Sequence, residues 1–261
     1  MKIVTWNINS VRLRAPLIAR VMATLDPDIL CLQETKCPDA FFPHQAMEQF
    51  GFKYRHIWGM KGYNGVAILS KVPFSAPQTF TRAGRDDCRH IAVTFPDFTL
   101  HNLYIPAGGD IPDRLVNDKF GHKLDYVRDM TDILPTLHGT TDNVILVGDF
   151  NIAPLEHDVW SHKQLLTVVS HTPIEVQHLN DFQTGMGWVD AIRHFVPPQQ
   201  KCYTWWSYRN RDWRQSNRGR RLDHIWVSRS LKSRLAQHKI LVDARDWPQT
   251  SDHVPVCLTL S

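Results

Sequence analysis

The sequence predicts an α/β layered fold built on mixed sheets, and three observations predict it. Apolar runs of strand length recur along the whole chain. Helical apolar stripes separate some of them. Elsewhere two runs are joined by as little as Pro96-Asp97, a hairpin-length link that implies antiparallel pairing. Sheets fed by both hairpins and helical crossovers are mixed, and they belong to layered α/β architectures. No linker, low-complexity tract or internal repeat divides the chain, so residues 1–261 are read as one domain.

In chain order the strands read as Ile3–Trp6, Ile29–Leu32, Val66–Leu69, Ile91–Phe95, Leu100–Ile105, Val144–Val147, Ile225–Val227 and Val254–Leu260. A first helix is expected over Leu13–Leu25, where Leu17, Ile18, Val21, Met22 and Leu25 recur on one face. A second is expected from about Asp113 to Leu137, with Leu124, Val127, Met130 and Leu134 as its buried stripe.

Composition narrows the function. The 261 residues are 43% hydrophobic and 21% charged, a globular balance that argues against disorder. No uninterrupted apolar stretch reaches the roughly 18 residues of a membrane span, so no membrane association is expected. The opening Met1-Lys2-Ile3-Val4-Thr5-Trp6-Asn7 reads as a strand and not as a signal peptide, which makes the cytoplasm the expected compartment. Five scattered cysteines (Cys31, Cys37, Cys88, Cys202, Cys257) form no C-x-x-C pair, which disfavours a disulfide framework or a zinc–cysteine site. Cys31 and Cys257 lie in apolar runs and read as core fillers. The fourteen histidines include no H-E-x-x-H, and most are expected at the surface or the core edge.

Net charge is +4 and the sequence pI about 8.8, mild overall but uneven locally. Between Lys201 and Arg229 the chain places Arg209, Arg211, Arg214, Arg218, Arg220 and Arg221 among Tyr203, Trp205, Trp206, Tyr208 and Trp213. Cations mixed with flat aromatics suit a phosphate backbone and stacked bases or sugars. A solvated basic loop is the plainer alternative.

Polar residues then fall at the ends of the apolar runs. Val144-Ile145-Leu146-Val147 stops at Gly148-Asp149-Phe150-Asn151. Residues two apart on a strand share a face, so Asp149 and Asn151 project together and Phe150 turns away. Asn7 follows Ile3–Trp6, with Asn9 two residues on. Glu34 follows Ile29–Gln33, and Tyr104 comes near the end of its run. Asp223 precedes Ile225-Trp226-Val227, and Asp252-His253 precede Val254. In antiparallel packing the ends of some strands lie beside the starts of others, so one rim can collect all of these.

The chemistry of such a rim is specific. Glu34, helped by Asn7, offers hard oxygen donors that suit magnesium or manganese and not zinc. Asp149 can activate water. His253 can meet a phosphate oxygen while Asp223 fixes its other ring nitrogen. No G-x-S-x-G is present, which argues against an acyl-transfer serine. A metal, an activated water and phosphate clamps describe phosphoester hydrolysis.

At these residues the chain resembles the exonuclease III family of AP endonucleases, within the wider endonuclease/exonuclease/phosphatase superfamily. The resemblance runs essentially end to end. It is carried by Thr5-Trp6-Asn7-Ile8-Asn9-Ser10-Val11-Arg12, Leu32-Gln33-Glu34-Thr35-Lys36 and Gly62-Tyr63-Asn64-Gly65-Val66-Ala67. It continues through Gly148-Asp149-Phe150-Asn151, Arg221-Leu222-Asp223 and Ser251-Asp252-His253. Each segment is weak alone; in this order and spacing they are specific together.

The resemblance implies a four-layer α/β sandwich, with two mixed β-sheets packed face to face and helices on the outside. It implies Mg2+ as cofactor, with Mn2+ as substitute. Glu34 would be the principal metal ligand, with Asn7, Asn9 and Asp252 close by. Asp149 would orient or deprotonate water, and Asn151 would hold the water or the phosphate. His253, paired with Asp223, would stabilise phosphoryl charge, and Tyr104 would contact the scissile phosphate. Arg12, Lys36 and Tyr63 would meet DNA, as would Arg209, Arg211 and Arg220, while Trp205 and Leu222 match the family's sugar pocket.

The implied activity is incision 5′ to an abasic site, leaving a 3′-hydroxyl, with 3′→5′ exonuclease and 3′-end phosphodiesterase or phosphatase activity. The implied partner is double-stranded DNA with abasic sites or blocked 3′ ends, handled by a monomer that is nucleoid-associated during repair. A missing base removes stacking, so such a nucleotide flips out at lower cost. Two positions depart from the family pattern: Ala107 follows Pro106 where many relatives carry Asn, and Arg220 stands where relatives can carry a larger apolar residue. A non-catalytic nucleic-acid-binding regulator of the same fold and a small-molecule phosphoesterase are the competing readings.

Overall fold

The computed structural model describes residues 1–261. Its strands are β1 (Lys2–Asn7), β2 (Ile29–Gln33), β3 (Tyr54–Trp58), β4 (Val66–Ser70), β5 (Ser75–Thr79), β6 (His90–Thr94) and β7 (Thr99–Tyr104). They continue as β8 (Val144–Asp149), β9 (Val189–Asp190), β10 (Trp205–Trp206), β11 (Gly219–Arg220), β12 (Asp223–Val227), β13 (Leu235–Ile240) and β14 (Val256–Leu260). The helices are α1 (Val11–Leu25), α2 (His44–Gln49), α3 (Asp118–Leu137), α4 (His162–Leu165), α5 (Pro173–Met186), α6 (Ala191–Phe195) and α7 (Trp213–Ser216).

Two six-stranded sheets result, ordered β13-β14-β1-β2-β4-β3 and β5-β6-β7-β8-β12-β9. In each, one pair is parallel, β1 with β2 and β7 with β8. A parallel pair needs a crossover, and α1 and α3 supply the two. Alternation along the strands builds the layers. Ile3, Ile29, Cys31 and Ile68 point inward and meet Ile91, Leu100, Val147 and Ile225 of the facing sheet. Val4, Trp6 and Leu30 point outward beneath Leu17, Ile18 and Val21 of α1. Leu146 and Phe150 lie beneath Val127, Met130 and Leu134 of α3 and Phe182 of α5. The expected sandwich of helix, sheet, sheet and helix is the observed one.

All eight expected strands are present, within two residues of their expected bounds. The edge strands β3, β5 and β13 were not visible as apolar runs. β5 is exposed throughout and contains Pro77, which edge positions tolerate and central ones do not. The helix expected from Asp113 begins at Asp118. The Asn117 side chain accepts from the Lys119 amide and donates to the carbonyls of Gly108 and Ile111, so it caps the helix and pins the preceding loop outside it. All five cysteines are buried and unpaired. No helix is long and apolar enough to cross a membrane. Six of the fourteen histidines are buried (His90, His101, His122, His171, His224 and His253), and the other eight lie at the surface or the core edge, as expected of most.

Candidate active site

Register places the polar strand ends side by side. Asp149 on β8 pairs with Tyr104 on β7 and with Asp223 on β12, so three functional side chains share one row. Asn7 on β1 pairs with Gln33 on β2, which carries Glu34 next in the chain. The two rows face each other across the sandwich. The Asn7 amide nitrogen bridges them, 2.8 Å from Glu34 Oε1 and 2.9 Å from Asp149 Oδ2. Gly148 makes the row possible: a Cβ there would lie 1.9 Å from the Leu103 carbonyl oxygen on the neighbouring strand.

Several of these residues leave their strands in left-handed backbone geometry. Asn9, Glu34, Lys36 and Asn151 have φ of 48°, 51°, 50° and 54°. The region is cheap for Asn and costs Glu and Lys on the order of 1 kcal/mol or more. It turns the chain sharply enough to aim consecutive polar side chains back at the rim.

Asp223 and His253 form a fixed pair, with Asp223 Oδ2 2.9 Å from His253 Nδ1. The same oxygen accepts from Thr204 Oγ1 at 2.6 Å. His253 Nε2 points at Asp149 Oδ2 from 3.6 Å. Burial by itself would lower the His253 pKa, but Asp223 and Asp149 outweigh it and raise it to about 10. Burial raises Asp149 to about 7, against the pull of His253. The three groups thus form a cation held between two acids, one of which titrates near neutrality.

Asn151 completes the water side. Its amide nitrogen donates to the Ile105 carbonyl at 2.9 Å and to Asp149 Oδ2 at 3.1 Å. Both partners are acceptors, which fixes the amide orientation and leaves Oδ1 without a protein partner beside the cavity. An acceptor next to Asp149 suits the protons of a water more than the oxygens of a phosphate.

A cation fits on the opposite side. Glu34 Oε1 also accepts from Tyr104 Oη at 2.9 Å. Burial, then the neighbouring Glu34, hold the Tyr104 pKa well above its ordinary value, so the phenol stays a donor. Glu34 Oε2 meets the Lys36 ammonium at 2.8 Å, and that ammonium also donates to Asn9 Oδ1 at 2.7 Å. Burial opposes it, but Lys36 and Asn7 keep Glu34 below the usual carboxylate range. Asp252 lies alongside, its Oδ1 3.3 Å from Asn9 Nδ2. The oxygens of Glu34 and Asn9 are hard donors that already attract the Lys36 cation, and Asp252 adds a carboxylate beside Asn9.

One expected ligand is corrected. Asn7 presents its NH2 group to the carboxylates and turns its oxygen to the Asn9 backbone amide at 3.1 Å. It braces the two acids and is not an oxygen ligand in this arrangement. Asp149, Asp223 and His253 also lie close enough to chelate an ion. In the arrangement seen, His253 is engaged by Asp223 at Nδ1, and its Nε2 faces Asp149 from 3.6 Å.

A cavity of about 960 Å3 opens from this rim, lined by Glu34, Asn151 and His253. Trp205, Leu222 and Arg220 also line it, as do Trp160, Arg209 and Arg218. Trp205 is fixed by a 2.9 Å hydrogen bond from its indole to Asp252. The Arg220 guanidinium lies over the Trp205 ring and is held by Val169 O and Ser170 Oγ.

The basic–aromatic stretch is only partly a surface. Tyr203, Trp206 and Trp213 are buried in the core beneath the first sheet. Arg221 is buried against Asp158 and Asp190, and Arg214 is paired with Asp243 and Asp246. Arg211 is exposed and does not line the cavity, whereas Arg218 does and stacks on Trp160. Arg12 and Tyr63 are exposed and do not line the cavity. Lys123, Glu175, Thr204 and Trp160 were missed. Only Glu175 had a sequence signal: Thr172-Pro173-Ile174-Glu175 reads as a capping box, and it forms one.

Residues 4–253 match the Endonuclease/Exonuclease/phosphatase family. The exodeoxyribonuclease III of Haemophilus influenzae is 29% identical, over 98% of this chain and 98% of its own length. An AP endonuclease from Archaeoglobus fulgidus superposes with a TM-score of 0.92 at 27% identity, covering 100% of this chain and 99% of that one. The Neisseria 3′ phosphatase NExo, solved with a product DNA hairpin, superposes with a TM-score of 0.90 at 31% identity, with the same coverage. The chain therefore belongs to the endonuclease/exonuclease/phosphatase family, among its exonuclease III-like members, and is a hydrolytic nuclease.

Proposed function

We propose that this chain is a metal-dependent DNA repair nuclease that hydrolyses the phosphodiester 5′ to an abasic site, leaving a 3′-hydroxyl, and that it also clears blocked 3′ ends. The supporting observation is a single cavity that joins the water-handling pair Asp149–Asn151 to the walls Trp205 and Leu222. A sugar without its base fits between those walls, while its 5′ phosphate reaches the rim. Relatives that are an AP endonuclease and a 3′ phosphatase share this fold.

Each residue has a task. Asn151 Oδ1 accepts a hydrogen bond from one O–H of the attacking water. Asp149 takes the other proton as the water oxygen bonds to phosphorus and the bond to the 3′ oxygen breaks, and the departing 3′ oxygen gains a proton from solvent to become the 3′-hydroxyl. A base titrating near 7 is matched to that transfer at neutral pH. The His253 cation, oriented by Asp223, faces the phosphoryl oxygens as their charge grows. Tyr104 Oη, whose one proton goes to Glu34 here, would turn that donor to the scissile phosphate when the substrate is bound. Glu34, with Asn9 and Asp252, would hold Mg2+, or Mn2+ as a substitute, which when bound supplies charge neutralisation at the phosphate. The enzyme would act as a cytoplasmic monomer on duplex DNA.

The test is incision of a duplex carrying one abasic site, with Mg2+ and with EDTA. Cleavage 5′ to the site that EDTA abolishes is expected. Magnesium-independent cleavage, or none at either an abasic site or a 3′ phosphate, overturns the reading.

A further inference from the structure

Behind the site lies an ion pair with no exposure at all, Lys123 of α3 with Glu175 of α5. Burying two charges is expensive, and a well-packed apolar pair of similar volume is often no less stable. Its place must therefore be read from what the charges hold. The Lys123 ammonium has three protons and three acceptors: Glu175, the Asn151 carbonyl at 2.8 Å and the Ala107 carbonyl at 3.3 Å. Asn151 and Ala107 both line the cavity, on the loops that follow the adjacent parallel strands β8 and β7. Glu175 in turn accepts from the Ser170 amide at 2.9 Å and from the Thr172 amide and hydroxyl at 3.1 and 2.6 Å. Ser170 anchors Arg220 on the cavity wall.

We infer that Lys123 and Glu175 are positioning residues that set the Asn151 amide beside Asp149 and tie it to the pocket wall. The Lys123 ammonium fixes the Asn151 carbonyl at the turn where the chain leaves β8 with φ 54°. The only atom of Asn151 that Lys123 contacts is the carbonyl oxygen. The pair thus acts through the orientation of the amide and touches neither water nor phosphate. The inference rests on the proposed role of Asn151 in holding water.

The test is a double-mutant cycle on incision kinetics between Lys123→Met and Asn151→Ala. In the wild-type background Lys123→Met should lower kcat by about tenfold or more, as small misplacements do, with KM within about threefold. In the Asn151→Ala background the same change should cost less than about twofold, because the side chain it positions is gone. Equal costs in both backgrounds overturn the inference, since Lys123 would then act on stability or on another group. If Asn151→Ala alone leaves kcat unchanged, the reading of Asn151 falls first, and the inference with it. Should Lys123→Met not fold, Glu175→Gln keeps an oxygen for the Ser170 and Thr172 amides while removing the charge facing Lys123. It should show the same dependence on Asn151, and additivity there overturns the inference equally.

Discussion

Asp149 sits where a carboxylate is hardest to keep ionised. It is buried, and Asp223 and Glu34 both lie close enough to repel its charge. Three donors offset this: Asn7, Asn151 and the Asn151 backbone amide at 2.9 Å, with the His253 cation beyond. The resulting acid titrates near neutrality, poised to accept a proton. Asp149→Ala should cost about a hundredfold or more in single-turnover incision, with DNA affinity changed only modestly. Near-wild-type cleavage by that variant would remove Asp149 from the mechanism. The residues of this cluster were legible in the sequence because each is a polar group ending an apolar run. The orientation of Asn7 was not, since it depends on a carboxylate 142 positions away on the other sheet. Nor was Lys123, which as a sequence letter is indistinguishable from any solvated lysine on an amphipathic helix.

Among the elements, β6 and β7 carry a feature unrelated to catalysis. His90 and His101 lie on adjacent strands and join His138, at the end of α3, in a chain of 2.8 Å contacts. Arg82 donates into His90 Nδ1 at 3.0 Å. That donor forces the neutral tautomers in sequence, each ring accepting on one nitrogen and donating on the other. Burial first, then the neighbouring cations, hold His90 and His101 well below the usual histidine pKa. The groups facing them are Arg82, His138 and, past His138, Asp142 at 4.0 Å. A depressed pKa means the unfolded chain binds protons that the folded one refuses. Stability is therefore complete above the unfolded pKa of about 6.5 and is lost as pH falls through it, by up to about 1.4 kcal/mol per pH unit for each histidine. Urea midpoints should drop between pH 7.5 and pH 5.5, about one unit either side of that pKa, and His101→Gln should flatten the drop. A pH dependence unchanged by His101→Gln would show that the chain is not the titrating element. Central strands were legible because both faces are buried and the residues run apolar. β5 and β13 border solvent, so nothing in their composition marks them, and α5 carries its apolar face in few positions, Leu179 and Phe182.

For the molecule as a whole, a net charge of +4 predicts little until the arginines are sorted by partner. Arg221 and Arg193 are consumed by Asp158 inside the fold, and Arg214 by Asp243 and Asp246 on the surface. Arg209 and Arg218 are exposed, have no carboxylate partner and line the cavity, Arg218 over Trp160. Cations left unpaired along the cavity of a phosphodiesterase site are free to replace the counterions of a DNA backbone. Cations already paired release none, because meeting a phosphate would first break an ion pair. Neutralising Arg209 and Arg218 together should therefore weaken duplex binding and lower the slope of log affinity against log salt by up to about 1.8 units, near 0.9 for each phosphate no longer neutralised. Arg214→Ala should leave that slope unchanged, although it removes the same formal charge. Binding titrations between low and moderate salt decide the matter. Equal slope changes for the paired and unpaired arginines would mean that net charge alone draws the DNA, and that the cavity does not follow its backbone.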